Sequence, residues 1–375
     1  MKKILFVVND IDFFISHRVP IAFAAQAEGY EVHLACPSGK KVPDVISFGF
    51  NYHKVPLTRN GQNPLKELYA VLTLYRLYKQ INPDLIHLVT IKPVLYGGIA
   101  ARLTNVRAVV AAVSGLGTAF IAQSVAARIR KLVVSFLYQV AFSHKNLTVI
   151  FQNPDDRDTL INLGVISEKQ VKIIRGSGVS TDQYVYTPEP TGKPVVAMAA
   201  RLLKDKGVFE FIEASRILKK RGVDVTMRLI GSPDPGNLTS VTETELNAWC
   251  NEGAIESLGY REDIAFQYAA ANIVCLPSYR EGLPKGLVEA AACGRAVVTT
   301  DVPGCRDAIE PGVTGLLVPV KNAEALADAI QTLIDSPERR LQMGLAGRKL
   351  AEDSFAIDKI VGQHMSIYRE LTSTL

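Results

Sequence analysis

The sequence predicts two doubly wound α/β domains joined by a short linker, and three observations carry that prediction. First, 375 residues are more than one typical core accommodates, and 48% hydrophobic with 21% charged residues is the composition of a packed globular chain. Second, short apolar runs alternate with helix-length stretches along the chain, the rhythm of mostly parallel sheets covered on both faces. Third, that rhythm stops at one cluster of Pro and Gly and then restarts.

In order, the first series of strands is "ILFVV" from Ile4, "EVHLAC" from Glu31, "DLIHLV" from Asp84, "AVVAAV" from Ala108, "LTVIF" from Leu147 and "VKII" from Val171. The opening "MKKILFVVND" reads as a buried first strand, because its apolar run is short and no small-residue cleavage site follows. "TPEPTGKP", Thr187 to Pro194, holds the densest Pro and Gly punctuation and reads as the linker. The second series is "GKPVVAMAA", "DVTMRLIG", "ANIVCLPS", "GRAVVTT" and "TGLLVPV", with helical periodicity over Val208 to Lys220 and Ala323 to Ile334. The expected organisation is a first domain over 1–186, a linker over 187–194, a second domain over 195–352 and a closing helix over 353–375. No strand follows that helix, so it is free to pack back on the first domain. Open α/β sheets bind ligands at the carboxyl ends of their strands, so two facing sheets would place a site in the cleft between them.

Charge and cysteine usage narrow the function classes. Residues 1–175 hold 21 Lys and Arg against 11 Asp and Glu, a balance of +10, and the remainder holds 21 against 26, a balance of −5. A basic half joined to an acidic one suggests that the first domain faces something anionic. No nucleic-acid reading motif or arginine-rich cluster is present, which leaves phospholipid headgroups as the better fit. Five cysteines without a CxxC pair predict reduced thiols in the cytosol, with neither disulfides nor a zinc site. No run reaches the roughly 18 apolar residues of a membrane span. The expectation is a soluble or at most peripheral protein.

The chemistry concentrates in "SYREGLPKGLVEAAACG", Ser278 to Gly294. A strand precedes the turn "EGLPKG", Pro284 suits the first turn of a helix, and a small-residue helix closes on Gly294. Backbone N–H groups at such a helix start attract a phosphate, and Gly282 and Gly286 allow close approach. Carboxylates accept hydrogen bonds and repel phosphate, so Glu281 and Glu289 on either side need hydroxyl partners. A nucleotide-sugar supplies both, with polyols flanking a diphosphate. The bland alternative is that both glutamates are solvated helix-end residues. A second cluster, "ARLLKDKG", carries Arg201, Lys204 and Lys206 between a strand and a helix. Two of these cations near the same strand ends would neutralise a diphosphate, including the charge that develops on a departing nucleotide.

These motifs resemble the retaining glycosyltransferases of family 4, whose two-domain fold is called GT-B. The carrying residues are "ARLLKDKG", then "REGLPKGLVEAAACGRAVVTTDVPGCRDAI" with its Glu-x7-Glu signature at Glu281 and Glu289, then "GVTGLLVPV". In the first half, "FFISHRVPIA", "GYEVHLACP", "DLIHLVTIKPVLYGGIAAR" and "VSGLGTAF" are similar to bacterial enzymes that extend undecaprenyl-diphosphate-linked oligosaccharides, among them those that add N-acetylhexosamine. The resemblance implies that Arg201 and Lys206 hold the donor diphosphate, that Glu281 with the backbone of Gly282 and Leu283, beside Pro284, holds the donor sugar, and that Glu289 holds the ribose diol. It implies retention of configuration and no metal. It also implies a histidine after a central strand of the first domain, where this chain reads "AVVAAVSGLGTAF", with Ser114 and Gly115 instead. His17 and His87 are the replacement candidates, although a lone histidine is more often structural. The Gly115 to Gly117 loop would bring backbone amides to the sugar or diphosphate.

Other signals are weaker. Asp10 to Asp12 and Asp156 to Asp158 each match a three-residue metal-binding DxD, a pattern that chance supplies often. "SGLGTAF" lacks the third glycine of a dinucleotide fingerprint. "RIRKLVVSFLYQVAFSHK" interleaves Arg128, Arg130 and Lys131 with an apolar stripe, which fits either an anionic membrane surface or a core helix with basic ends. The resulting expectation is a glycosyltransferase on the cytoplasmic face of the inner membrane, moving a hexose or N-acetylhexosamine from a UDP-sugar to a lipid-linked saccharide, with neither cofactor nor nucleic-acid partner. A UDP-sugar epimerase of the same architecture, or a non-catalytic nucleotide-sugar or lipid-binding protein, would share these features.

Overall fold

The computed structural model describes residues 1–57, 63–116 and 125–373. The chain forms two units, Met1–Ser177 with Asp358–Leu375, and Gly178–Ile357. The first unit runs β1 (Lys2–Val7), α1 (Ile11–His17), α2 (Val19–Ala27), β2 (Tyr30–Cys36), α3 (Val42–Ser47), β3 (Asn51–Lys54), α4 (Pro64–Ile81), β4 (Leu85–Val89), α5 (Gly98–Thr104), β5 (Ala108–Val113), α6 (Val125–Phe142), β6 (Leu147–Phe151), α7 (Pro154–Asn162) and β7 (Val171–Ile173). The second runs β8 (Val195–Ala199), α8 (Val208–Lys220), β9 (Thr226–Ile230), α9 (Glu243–Asn251), β10 (Glu256–Ser257), α10 (Ile264–Ala269), β11 (Ile273–Leu276), α11 (Lys285–Ala292), β12 (Ala296–Thr300), β13 (Gly315–Val318), α12 (Ala323–Asp335) and α13 (Pro337–Leu350). The last helix, α14 (Ile357–Ser373), returns to the first unit.

Every strand pairing is parallel. The first sheet has the order β3-β2-β1-β4-β5-β6-β7 and the second β10-β9-β8-β11-β12-β13. Both therefore reverse direction once, between β1 and β4 and between β8 and β11, and such a switch point opens a crevice at the strand carboxyl ends. The interior strands β5 and β6 are buried at every residue, as a sheet covered on both faces requires. In the first unit, α4, α5 and α6 pack one face of the sheet through Leu74, Tyr78, Ala101 and Tyr138. The other face is closed by α14 through Ile360, Met365, Tyr368 and Leu371.

The chain passes between units at Ser177/Gly178 and Ile357/Asp358, so Thr187–Pro194 is not the linker. Val179 already bridges Ala356, with its N–H donating to Phe355 O at 2.9 Å. The Pro- and Gly-rich segment is strapped to the second unit instead. Buried Arg295 donates to the Thr187 carbonyl and hydroxyl at 2.9 Å each, and Arg340 Nε donates to Glu189 at 2.9 Å. Pro and Gly mark a turn-rich path, and these three buried donors give that path a fixed place.

Candidate active site

The switch point of the second unit brings one predicted cation, Lys206, to one predicted carboxylate, Glu281. After β8 the chain makes a single 3-10 turn, Lys204–Lys206, and enters α8 through Gly207 at φ +77°. A Cβ on Gly207 would sit 2.1 Å from Pro277 O, so only glycine lets this turn close onto the end of β11. The closure brings Lys206 Nζ to 2.5 Å from Glu281 Oε1, both side chains largely buried. Ser278 Oγ lies 2.7 Å from the same carboxylate oxygen and 3.0 Å from Asp205 O. The Glu281 N–H donates to Pro303 O at 3.1 Å, and a Cβ on Gly304 would lie 2.4 Å from Glu281 O. The loop after β12 thus presses on the Glu281 turn and fixes its backbone.

Helix α11 starts directly behind this turn. Pro284 occupies the N-cap of α11, no side chain caps the helix, and the Leu287 N–H donates back to Pro284 O at 3.1 Å, so the positive end of the helix dipole lies at this turn. One helical turn on, buried Glu289 receives the Tyr184 hydroxyl at 2.6 Å and Lys285 Nζ at 3.3 Å, both on Oε1. Burial, then the neighbouring Glu289 carboxylate, push the Tyr184 phenol far up, so it remains a donor at any working pH. Arg201, in the loop after β8, is exposed, with Nη1 3.8 Å from Asp234 Oδ2.

At the switch point of the first unit, Thr90 follows β4 with φ +73°. This is rare for a β-branched residue. Its hydroxyl donates to Asn9 Oδ1 at 2.9 Å, tying the ends of β1 and β4 together. Ser114 follows β5, its Oγ buried and without a hydrogen-bond partner among the described residues, and Gly115 takes φ +116°. The next amide, Leu116 N–H, donates to Asp156 at 3.3 Å. Gly117 lies outside the described residues. His17 closes α1, partly exposed, with its ring stacked on Phe13 at 4.1 Å and Nδ1 2.7 Å from Ser16 Oγ.

Residues 183–350 match the family described as glycosyl transferases group 1, and residues 3–153 match that described as glycosyl transferase 4-like. Both halves of the chain thus match glycosyltransferase families, and the protein is a glycosyltransferase. A Campylobacter jejuni relative, N,N'-diacetylbacillosaminyl-diphospho-undecaprenol alpha-1,3-N-acetylgalactosaminyltransferase, is 29% identical over 94% of both chains. An Escherichia coli relative, UDP-Gal:alpha-D-GlcNAc-diphosphoundecaprenol alpha-1,3-galactosyltransferase, is 22% identical over 92% of this chain and 90% of its own. The solved structure of sucrose-phosphate synthase from Thermosynechococcus elongatus covers 100% of both chains with a TM-score of 0.83 at 21% identity. The fold of this glycosyltransferase is GT-B, as its motifs imply.

Within the glycosyltransferase, Lys206 meets Glu281, and Glu289 lies on the same βα unit. Ser278, Lys285 and Tyr184 complete these contacts and were not among the sequence candidates. Tyr184 is 105 residues from Glu289 along the chain, a separation that no local pattern signals. The candidacy of His87 is corrected. It lies within β4 at 0% exposure, its Nδ1 bonds the Tyr368 hydroxyl, and its ring stacks on His364. Burial, then His364 and Arg18, hold its pKa well below the usual 6.5, so it is a neutral core group under α14 that no substrate reaches. The two DxD matches have structural uses. Asp10 caps α1 by accepting from the Asp12 and Phe13 amides, and Asp156 receives Asn153 Nδ2 at 3.2 Å. Among the described residues, no group of three or more His, Cys, Asp or Glu is placed to hold a metal ion. Arg128, Arg130 and Lys131 lie on α6, and their side chains are outside the described residues.

Proposed function

We propose that this glycosyltransferase moves a hexose or N-acetylhexosamine from a UDP-sugar to a hydroxyl of a saccharide carried on a lipid diphosphate, with retention and without a metal. The observation that carries the proposal is the Lys206–Glu281 pair at the β8/β11 switch point, directly ahead of the uncapped start of α11. In this reading the donor diphosphate sits on that helix start, with Lys206 and Arg201 as its cations. Glu289, oriented by Tyr184, accepts from the ribose diol. Glu281 and the backbone of Gly282 and Leu283, with Pro284 setting the turn, position the transferring sugar. When the bond from the anomeric carbon to the diphosphate breaks, the departing UDP gains charge where Lys206 stands, which lowers the barrier. His17, Ser114 and Gly115 border the carboxyl edge of the first sheet and are proposed to face the acceptor. The two relatives named for undecaprenyl-linked sugars support the acceptor class, and the basic first half supports work at a cytoplasmic membrane face.

The test is incubation with UDP-hexoses and UDP-N-acetylhexosamines, with and without an undecaprenyl-diphosphate-linked sugar, following UDP release and product mass. Acceptor-dependent UDP release with a gain of one sugar is the expected result. An isomerised donor without UDP release would instead identify an epimerase, and tight UDP-sugar binding without turnover on any lipid-linked acceptor would identify a binding protein.

A further inference from the structure

The outer face of α4 and α6 is apolar where a solvated helix should be polar. At 100° per residue, α4 buries Ala70, Leu74, Tyr78 and Ile81 on one side and places Leu65, Leu68, Tyr69 and Leu72 on the opposite side, in solvent. All four are exposed, Leu65 by 78%. α6 repeats the arrangement, burying Tyr138, Ala141 and Phe142 while exposing Leu132, Val133 and Phe136. Both helices pack into one core on the same sheet face, so their outer faces belong to one surface, with Leu103 of α5 also exposed. Each helix follows a parallel strand, which puts its N-terminal half at the carboxyl edge of the sheet. Leu65, Leu68, Tyr69 and Leu72 of α4 and Leu132 and Val133 of α6 lie in those halves, beside the edge where the acceptor is proposed to bind, and Phe136 follows one turn further along α6.

Charge identifies the occupant. The sequences of α4, α5 and α6 together hold seven Lys and Arg against one acidic residue, and that residue, Glu67, is bonded by Lys92 at 2.6 Å. Arg76 and Lys79 continue the exposed face of α4 at helical spacing and are themselves exposed. Apolar side chains to enter the acyl boundary, with cations around them and no spanning helix among the described residues, suit an anionic bilayer surface. We infer that the α4–α6 face docks the glycosyltransferase on anionic phospholipid, with Leu65, Leu68, Tyr69, Leu72, Leu132 and Phe136 as the inserted anchors. This deepens the proposed function by naming the surface that meets the membrane.

The test is co-sedimentation with acceptor-free vesicles, so its outcome is independent of the transferase reading. The protein should bind vesicles containing phosphatidylglycerol at least tenfold more tightly than pure phosphatidylcholine, with affinity falling as salt is raised. Leu68→Ser with Tyr69→Ser and Phe136→Ser should cost at least tenfold, and Arg76→Glu with Lys79→Glu about fivefold per charge. Each variant should keep its Tm and its turnover of a short-chain, water-soluble acceptor. If a combined variant loses Tm, Leu65→Gln alone, at the most exposed anchor, replaces it. Wild-type indifference to vesicles, equal binding to neutral ones, or wild-type binding by the variants overturns the inference. So does a wild-type dimer that these substitutions convert to monomer without any vesicle binding, which would make a second copy the occupant.

Discussion

At the residue scale, Glu281 carries its charge opposite Lys206 and its backbone against the Pro303–Gly304 loop, so the two can be altered separately. Glu281→Gln keeps the backbone and the size of the side chain but removes the charge partner. It should lower kcat about a hundredfold, in the range of losing one preorganised polar contact, while UDP affinity measured by calorimetry changes little. Lys206→Ala leaves a largely buried carboxylate unpaired and removes the cation beside the departing diphosphate, so it should lower kcat, UDP affinity and Tm together. Wild-type kinetics in Lys206→Ala would remove Lys206 from the diphosphate. Tyr184→Phe tests the other carboxylate. A hydrogen bond to an ionised group is worth about 1.5–3 kcal/mol, so losing it should raise the donor KM about tenfold with kcat nearly constant, because Glu289 would bind a part of the donor remote from the reacting bond. Glu281, Glu289 and Lys206 were legible because a strand, a glycine turn and a helix start bracket them in the sequence. Tyr184 and Ser278 were not, because their roles arise from contacts across folded distance.

At the element scale, the interior strands were legible because burial on both faces leaves an unbroken apolar run, as in Ala108–Val113. β3, reading Asn-Tyr-His-Lys, was not, because an edge strand with half its face in water carries no such signal. The same logic misplaced His87, whose polarity suggested chemistry while its strand position made it core. Its partner element, α14, gives a pH prediction. Burial, then Arg18, lowers His364 from 6.5 to about 3, and His87 shifts in the same direction. A histidine with a depressed folded pKa contributes stability that is fully present above 6.5, because the unfolded chain takes up the proton first as pH falls. That stability is lost progressively between about pH 6.5 and 3. Thermal unfolding followed by the signal of the first unit should therefore show Tm dropping across that window, and His364→Leu should flatten the drop. An unchanged slope in that variant would assign the acid sensitivity elsewhere.

At the scale of the whole molecule, the first unit is completed by both ends of the chain. β1 opens its sheet, and α14 covers one face of it, closing over Phe6, Ile4 and Val110. Lys2 Nζ reaches the Thr372 hydroxyl at 3.3 Å, and Asn146 Nδ2 donates to Leu371 O at 3.0 Å. The second unit, Gly178–Ile357, holds a core of its own whose cluster draws only on residues 179–355. A fragment of residues 1–177 therefore exposes the apolar face that Tyr368, Ile360 and Leu371 bury. Burying side chains of that size contributes about 1.5–3 kcal/mol each, against a total domain stability of about 5–15 kcal/mol. The fragment should fail to give a cooperative melt and should bind a hydrophobic dye, whereas residues 178–357 should melt cooperatively alone. Adding a peptide of residues 358–375 to the first fragment should restore the melt. A cooperative melt of residues 1–177 without the peptide would show that α14 is an accessory to this core, and the acid sensitivity argued from His364 would then weaken α14 alone and leave the sheet intact.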